Sequence, residues 1–159
     1  MPNKATFTIK PIAELLAQEM NGGLWVDPFA GENSPAHITN DLDPATPAHF
    51  HLDALEFLRG FGASSVYGIL FDPPYSPRQV SECYKSLGKT VNMQTTQASF
   101  WGDLKKELAR VVVPQGKCIT FGWNSGGIGK SGGFRITRIL LVPHGGWHND
   151  TIVTVEVRG

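Results

Sequence analysis

Four carboxylates in this chain each follow a short strand-forming run: Asp27 after Leu24-Trp25-Val26, Asp41 after His37-Ile38-Thr39-Asn40, Asp53 after residues 49–52, and Asp72 after residues 66–71. Their contexts read Asp27-Pro28-Phe29-Ala30-Gly31, Asn40-Asp41-Leu42-Asp43-Pro44, Asp53-Ala54 and Asp72-Pro73-Pro74-Tyr75. One carboxylate in such a place caps the next turn or helix by accepting from its free backbone N–H groups. Four that meet in one crevice repel each other unless a donor-rich ligand, such as a ribose, an amino group or an adenine amine, lies between them.

The elements that must carry these acids follow from the apolar pattern. Pro11 suits the first turn of a helix, and Ile12, Leu15, Leu16 and Met20 share one face until Asn21-Gly22-Gly23 ends it. Residues 24–26 read as a buried strand, 37–39 and 49–52 as weaker strands, and 54–61 as a helix. A further strand over 66–71 stops at Pro73-Pro74. A polar stretch then leads to a helix over 101–112, broken by Pro114 to Gly116, and to a strand over 118–121. Residues 134–142 and 151–157 form a terminal hairpin. Strands alternating with helices before a hairpin predict an α/β fold, mostly parallel with one reversed strand. Ligands in such sheets bind beyond the carboxyl ends of the parallel strands, where the four acids fall.

Asp-Pro-Pro-Tyr after one apolar strand, Asp-Pro-Phe-Ala-Gly after an earlier one, and Ile9-Lys10-Pro11 before a helix together resemble the S-adenosylmethionine-dependent DNA adenine amino-methyltransferases. The resemblance spans nearly the whole chain and implies one Rossmann-like methyltransferase domain over 1–159. It implies that Lys10, Pro11, Asp27, Pro28, Phe29, Gly31, Asp41, Asp53 and Ala54 bind S-adenosylmethionine. Phe29 and Gly31 would line its methionine part, Asp41 or the nearby Asp43 its ribose, and Asp53 its adenine amine. Asp72, Pro73, Pro74 and Tyr75 would be the catalytic group. Asp72 and the Pro73 carbonyl would accept from the target amine, and Tyr75 would stack on the target base.

This chemistry has an independent rationale. The lone pair of an aromatic amine is delocalised into its ring, and two acceptors aimed at its hydrogens favour the pyramidal geometry that attack on a methyl group requires. The base must also leave the duplex stack, and an aromatic face offsets part of that cost. The reaction needs no metal.

Departures from the family pattern carry expectations of their own. Asn33 stands where a second glycine is usual. Gly31 to Ala36 and Asp43 to Ala48 are too short for crossover helices, so one face of the sheet should have fewer helices. A lone N-terminal helix would not cover several strands; either polar residues such as His37, Thr39, His49 and His51 face outward or, the favoured reading, a homodimer supplies the cover. No segment is long enough for a separate recognition domain. Target reading would fall to residues 76–100, 122–133 and 144–150, where Arg78, Lys85, Lys89 and Lys130 would face phosphates.

Composition agrees with a single domain. The 159 residues have zero formal net charge, yet residues 1–75 carry 3 basic and 9 acidic side chains while 76–133 carry 8 and 3. No run approaches the length of a membrane helix, and the absence of an apolar leader at the N-terminus makes the cytoplasm the expected location. Cys83 and Cys118 form no disulfide or zinc pattern.

Gly127-Ile128-Gly129-Lys130-Ser131 resembles the end of a phosphate loop, but Asn124 replaces its first glycine and a strand follows. His144 and His148 are separated by glycines that disfavour a metal-binding helix, and His49 and His51 read as packed or capping imidazoles. Trp25, Trp101 and Phe121 read as core. The alternatives are the same chemistry on RNA or a protein amide, and a non-catalytic binding subunit of the same fold. Retention of all four acids argues against the last.

Overall fold

Pro11 does open the first helix, α1 (Lys10–Glu19), which buries Ile12, Leu15 and Leu16. The computed structural model describes residues 6–73, 98–122, 125–143 and 150–159. Among these, α2 (Ala54–Arg59) and α3 (Ala98–Val111) complete the α-helices. The strands are β1 (Trp25–Asp27), β2 (Ile38–Thr39), β3 (Val66–Phe71), β4 (Val112–Gly122), β5 (Phe134–Val142) and β6 (Thr151–Arg158). They form one sheet in the order β2-β1-β3-β4-β6-β5. The first four are mutually parallel, and β6 runs against both β4 and β5. The mostly parallel sheet with a C-terminal antiparallel hairpin is therefore present.

Both short connections lack helices: from Asp27 to Ala54 the chain makes only β2 and a parallel bridge between Asn40 and Phe50. That bridge is all that remains of the strand expected over 49–52. The shortened strands recruit side chains to finish their ladders. Trp25 N–H donates to His37 Nδ1 at 2.9 Å and Thr39 N–H to His49 Nδ1 at 3.1 Å, so both imidazoles are capping acceptors.

The expectation that one helix would leave this face bare is corrected. Ile12, Leu15 and Leu16 of α1, with Phe7 and Ile9 ahead of them, pack over Trp25, Leu70, Ile119, Phe121 and Val155, which belong to four different strands. On the opposite face, Phe57 and Leu58 of α2 and Leu104, Leu108 and Val111 of α3 pack over Val26, Ile69 and Cys118.

Two boundaries also move. α3 begins at Ala98 and passes directly into β4 at Val112. Pro114 to Gly116 does not separate helix from strand: Val66 pairs with Val112 but Gly68 with Lys117, so the proline and Gln115, at φ 68°, lie in a bulge within β4.

Candidate functional site at the carboxyl edge of the sheet

From β1 the chain steps outward to β2 and then returns to the other side of β1 as β3. That reversal opens a crevice beyond the carboxyl ends of β1 and β3. Parallel register brings Asp27, Asp41, Asp53 and Asp72 to this edge, since Asp27 pairs with Thr39, Asn40 bridges Phe50, and Val26 pairs with Ile69.

Asp27 is fully buried at the end of β1 and folds the loop that follows it. Its Oδ1 accepts from Phe29 N–H at 3.0 Å and its Oδ2 from the Ser34 hydroxyl at 2.6 Å. Burial pushes its pKa up to about 7, against the lowering effect of these two bonds, and repulsion from Asp41 adds to the rise. Asp41 holds the same loop from outside. Its Oδ2 accepts from Gly31 N–H at 2.8 Å and its Oδ1 from Asp43 N–H at 2.9 Å. Gly31 has φ 61°, a left-handed conformation that favours glycine, so the turn depends on it. Asp43 Oδ1 instead accepts from Ala45 N–H within its own turn.

Asp53 caps α2, its Oδ1 accepting from Leu55 N–H at 3.0 Å, with Ala54 buried behind it. The acid thus performs the ordinary capping task and still stands at the crevice. Asp72 is 3% exposed and Pro73 is buried. Phe29 is half-buried, with its ring centroid 5.9 Å from that of Phe71, which places it beside the Asp72 strand end; Pro28 is buried. Lys10 and Pro11 are exposed at the start of α1, which Phe7 ties to Phe121 near the carboxyl end of β4 with 5.4 Å between ring centroids. Pro74, Tyr75, Arg78, Lys85 and Lys89 lie outside the described residues, as do Cys83, His144 and His148.

Lys130 is not brought to this edge. It lies in a short turn, Lys130–Gly132, immediately before Phe134, which begins β5 and pairs with Arg158 at the end of β6. The starts of β3, β4 and β5 share that amino edge, so Lys130 stands a strand length away from the acids, about 17 Å along β3. Its loop crosses the sheet rather than hanging at the carboxyl edge, because Glu156 of β6 holds it down. Glu156 is fully buried, and its carboxylate accepts from Ile128 N–H at 2.8 Å and Gly129 N–H at 2.9 Å. An internal anion therefore occupies the amides that a phosphate would need.

A groove of about 420 Å³ between α1 and the β1–β2 crossover is lined by Ala13, Leu16, Met20, Pro35 and His37 and holds none of the four acids. Among the described residues no cluster of His, Cys, Asp and Glu is arranged to hold a metal ion, and no helix is long and apolar enough to cross a membrane. Sequence reasoning overlooked Asn40, which is buried among these loops and has its amide spent on them. Its place directly before Asp41 was the available signal.

No protein-family model matches the chain, and no curated protein matches it. Solved structures of low sequence identity match its fold. The N-methyltransferase NodS from Bradyrhizobium japonicum is 9% identical with a TM-score of 0.63, covering 96% of this chain and 96% of its own. The 1,6-didemethyltoxoflavin-N1-methyltransferase of Burkholderia thailandensis, solved with S-adenosylhomocysteine, is 12% identical with a TM-score of 0.60, over 92% of this chain and 75% of its own. TrmN from Thermus thermophilus is 19% identical with a TM-score of 0.59, covering 93% of this chain, which spans only 48% of TrmN. The chain has the Rossmann-like methyltransferase fold.

Proposed function

We propose that this protein is an S-adenosylmethionine-dependent methyltransferase acting on the exocyclic amine of adenine in DNA. The observation that carries the reading is the convergence of Asp27, Asp41, Asp53 and Asp72-Pro73 on one crevice at the switch point of a methyltransferase-fold sheet.

The crevice suits such a cofactor. The Gly31 turn leaves no side chain where the cofactor backbone must approach, and the acids beside it can accept from hydroxyl and amine donors. Phe29 and Gly31 face the methionine part, with Lys10, Pro11, Pro28 and Ala54 completing the surroundings. Asp41, which abuts the Gly31 turn, receives the ribose hydroxyls, or Asp43 two residues on does so. Asp53 receives the adenine amine while capping α2, a carboxylate being able to accept several hydrogen bonds at once. When bound, the cofactor supplies an electrophilic methyl group on a sulfonium. Asp72 and the Pro73 carbonyl hold the two hydrogens of the target amine and orient its lone pair, while Pro74 belongs to the same catalytic group and Tyr75 stacks on the flipped base.

Duplex binding falls to Arg78, Lys85 and Lys89, without Lys130, and a homodimer places two sets of reading loops on one site. Incubating the protein with labelled S-adenosylmethionine and DNA, RNA or protein, then identifying the methylated product, tests the reading. N6-methyladenine in DNA is expected. Label in RNA or in a protein amide would move the same chemistry to another substrate.

A further inference from the structure

Asn40 is fully buried where three chain segments end together. Its Nδ2 donates to the Pro28 carbonyl at 3.1 Å and to the Leu52 carbonyl at 2.9 Å, and its Oδ1 accepts from Leu52 N–H at 2.9 Å. Its backbone N–H donates to the Asp27 carbonyl and its own carbonyl accepts from Ala30 N–H, both at 2.8 Å. Every donor of the residue is used and both acceptors are engaged.

Each partner adjoins a candidate cofactor contact. Pro28 lies between Asp27 and Phe29, Ala30 precedes Gly31, Asn40 precedes Asp41, and Leu52 precedes Asp53. Successive parallel strands are usually joined by a crossover that contains a helix, which packs beside them. The two crossovers here contain none. One carboxamide takes their place, since its planar group fixes three segments in a single geometry with directional bonds.

We propose that Asn40 is the positioning residue of the cofactor crevice, setting the spacing between the loop after β1, Asp41 and Asp53. The inference rests on reading those loops as the S-adenosylmethionine cradle. Removing the side chain leaves buried groups of Pro28 and Leu52 unpaired and frees the loops to separate.

Calorimetry with S-adenosylhomocysteine, beside urea unfolding, tests this on wild type, Asn40→Ala, Asn40→Asp and Leu104→Ala. Leu104 is a fully buried residue of α3 that makes none of the Asn40 hydrogen bonds, so its variant controls for reduced stability alone. Asn40→Ala is expected to weaken binding about tenfold or more, while Leu104→Ala, destabilised at least as much, keeps its affinity. Asn40→Asp should regain affinity relative to Asn40→Ala as the pH falls, because a protonated carboxyl can again donate one of the two missing bonds. Equal affinity in wild type and both Asn40 variants, or losses that simply follow stability, would overturn the assignment and leave the cofactor reading intact. Absence of binding by the wild type would overturn both. Should Asn40→Ala not fold, hydrogen exchange of the wild type gives the answer: the amides of Ala30, Asn40 and Leu52 gain protection together on binding if the clamp exists, and independently if it does not.

Discussion

Asp72 and Asp27 are both buried acids at the same edge, and different behaviour is expected of them. Asp72 stands in Asp72-Pro73-Pro74-Tyr75 with its charge directed to the target amine in the proposed reaction. Asp72→Ala should abolish methyl transfer while leaving S-adenosylhomocysteine affinity nearly unchanged, since the missing acceptor acts most strongly in the transition state. Near-normal turnover would remove it from the mechanism. Asp27 instead has a folded pKa raised from 3.8 to about 7. The folded state therefore holds a proton that the unfolded chain releases, and the associated stability is full below about pH 3.8 and lost as the pH rises through 7. The loss amounts to about 4 kcal/mol over that window. Asp27→Asn can keep both the Phe29 and Ser34 bonds without a titrating group, so its urea midpoint should lack this slope. Parallel pH profiles for the two proteins would refute the prediction. The positions of the acids were legible because each follows a strand run, whereas Asp27's burial and Asn40's clamp were not. Both depend on loops far apart in sequence folding over one point.

Glu156 explains why a glycine-rich stretch occupies the β4–β5 connection. Two inward N–H groups need an acceptor where no helix supplies one, and the carboxylate on β6 provides it. Gly127, at φ 52°, allows the approach: a Cβ there would collide with Glu156 Oε1. Glu156→Ala should destabilise the fold by about 2 to 4 kcal/mol by leaving these amides unpaired, measured by urea unfolding. Gly127→Ala should destabilise it as well, through strain and collision at the same point. An unchanged midpoint for both variants would show that the loop holds itself. The motif's resemblance to a phosphate loop was readable locally, but the residue that fills it lies 27 positions or more downstream.

Charge and apolar surface act over the whole molecule. If the basic middle of the chain binds DNA, neutralising Arg78, Lys85 and Lys89 should reduce the log–log salt slope by roughly one for each phosphate released, and neutralising Lys130 should not change it. A slope that depends on Lys130 would place the nucleic acid at the amino edge. The dimer expectation also shifts its ground, because α1 covers the face thought bare. Ile136, Ile139 and Leu141 are 46%, 53% and 58% exposed on β5, an edge strand of the sheet. A second copy is expected at that edge. Light scattering at low micromolar concentration should give twice the monomer mass, and Ile139→Asp with Leu141→Asp should return the monomer. Wild-type monomer under the same conditions would refute the expectation.

Local sequence pattern was enough for the class of fold, the reversed strand, the missing crossover helices and the edge on which the acids fall. Each of these depends on local alternation, proline and glycine positions, or the length of a connection. Tertiary structure decided that α1 spans four strands, that residues 49–52 contribute a single bridge, that Lys130 lies at the far edge, and that Asn40 and Glu156 are structural anchors. These outcomes turn on which distant backbone groups lack partners once the sheet has formed, and a buried donor or acceptor is too costly to leave unmet.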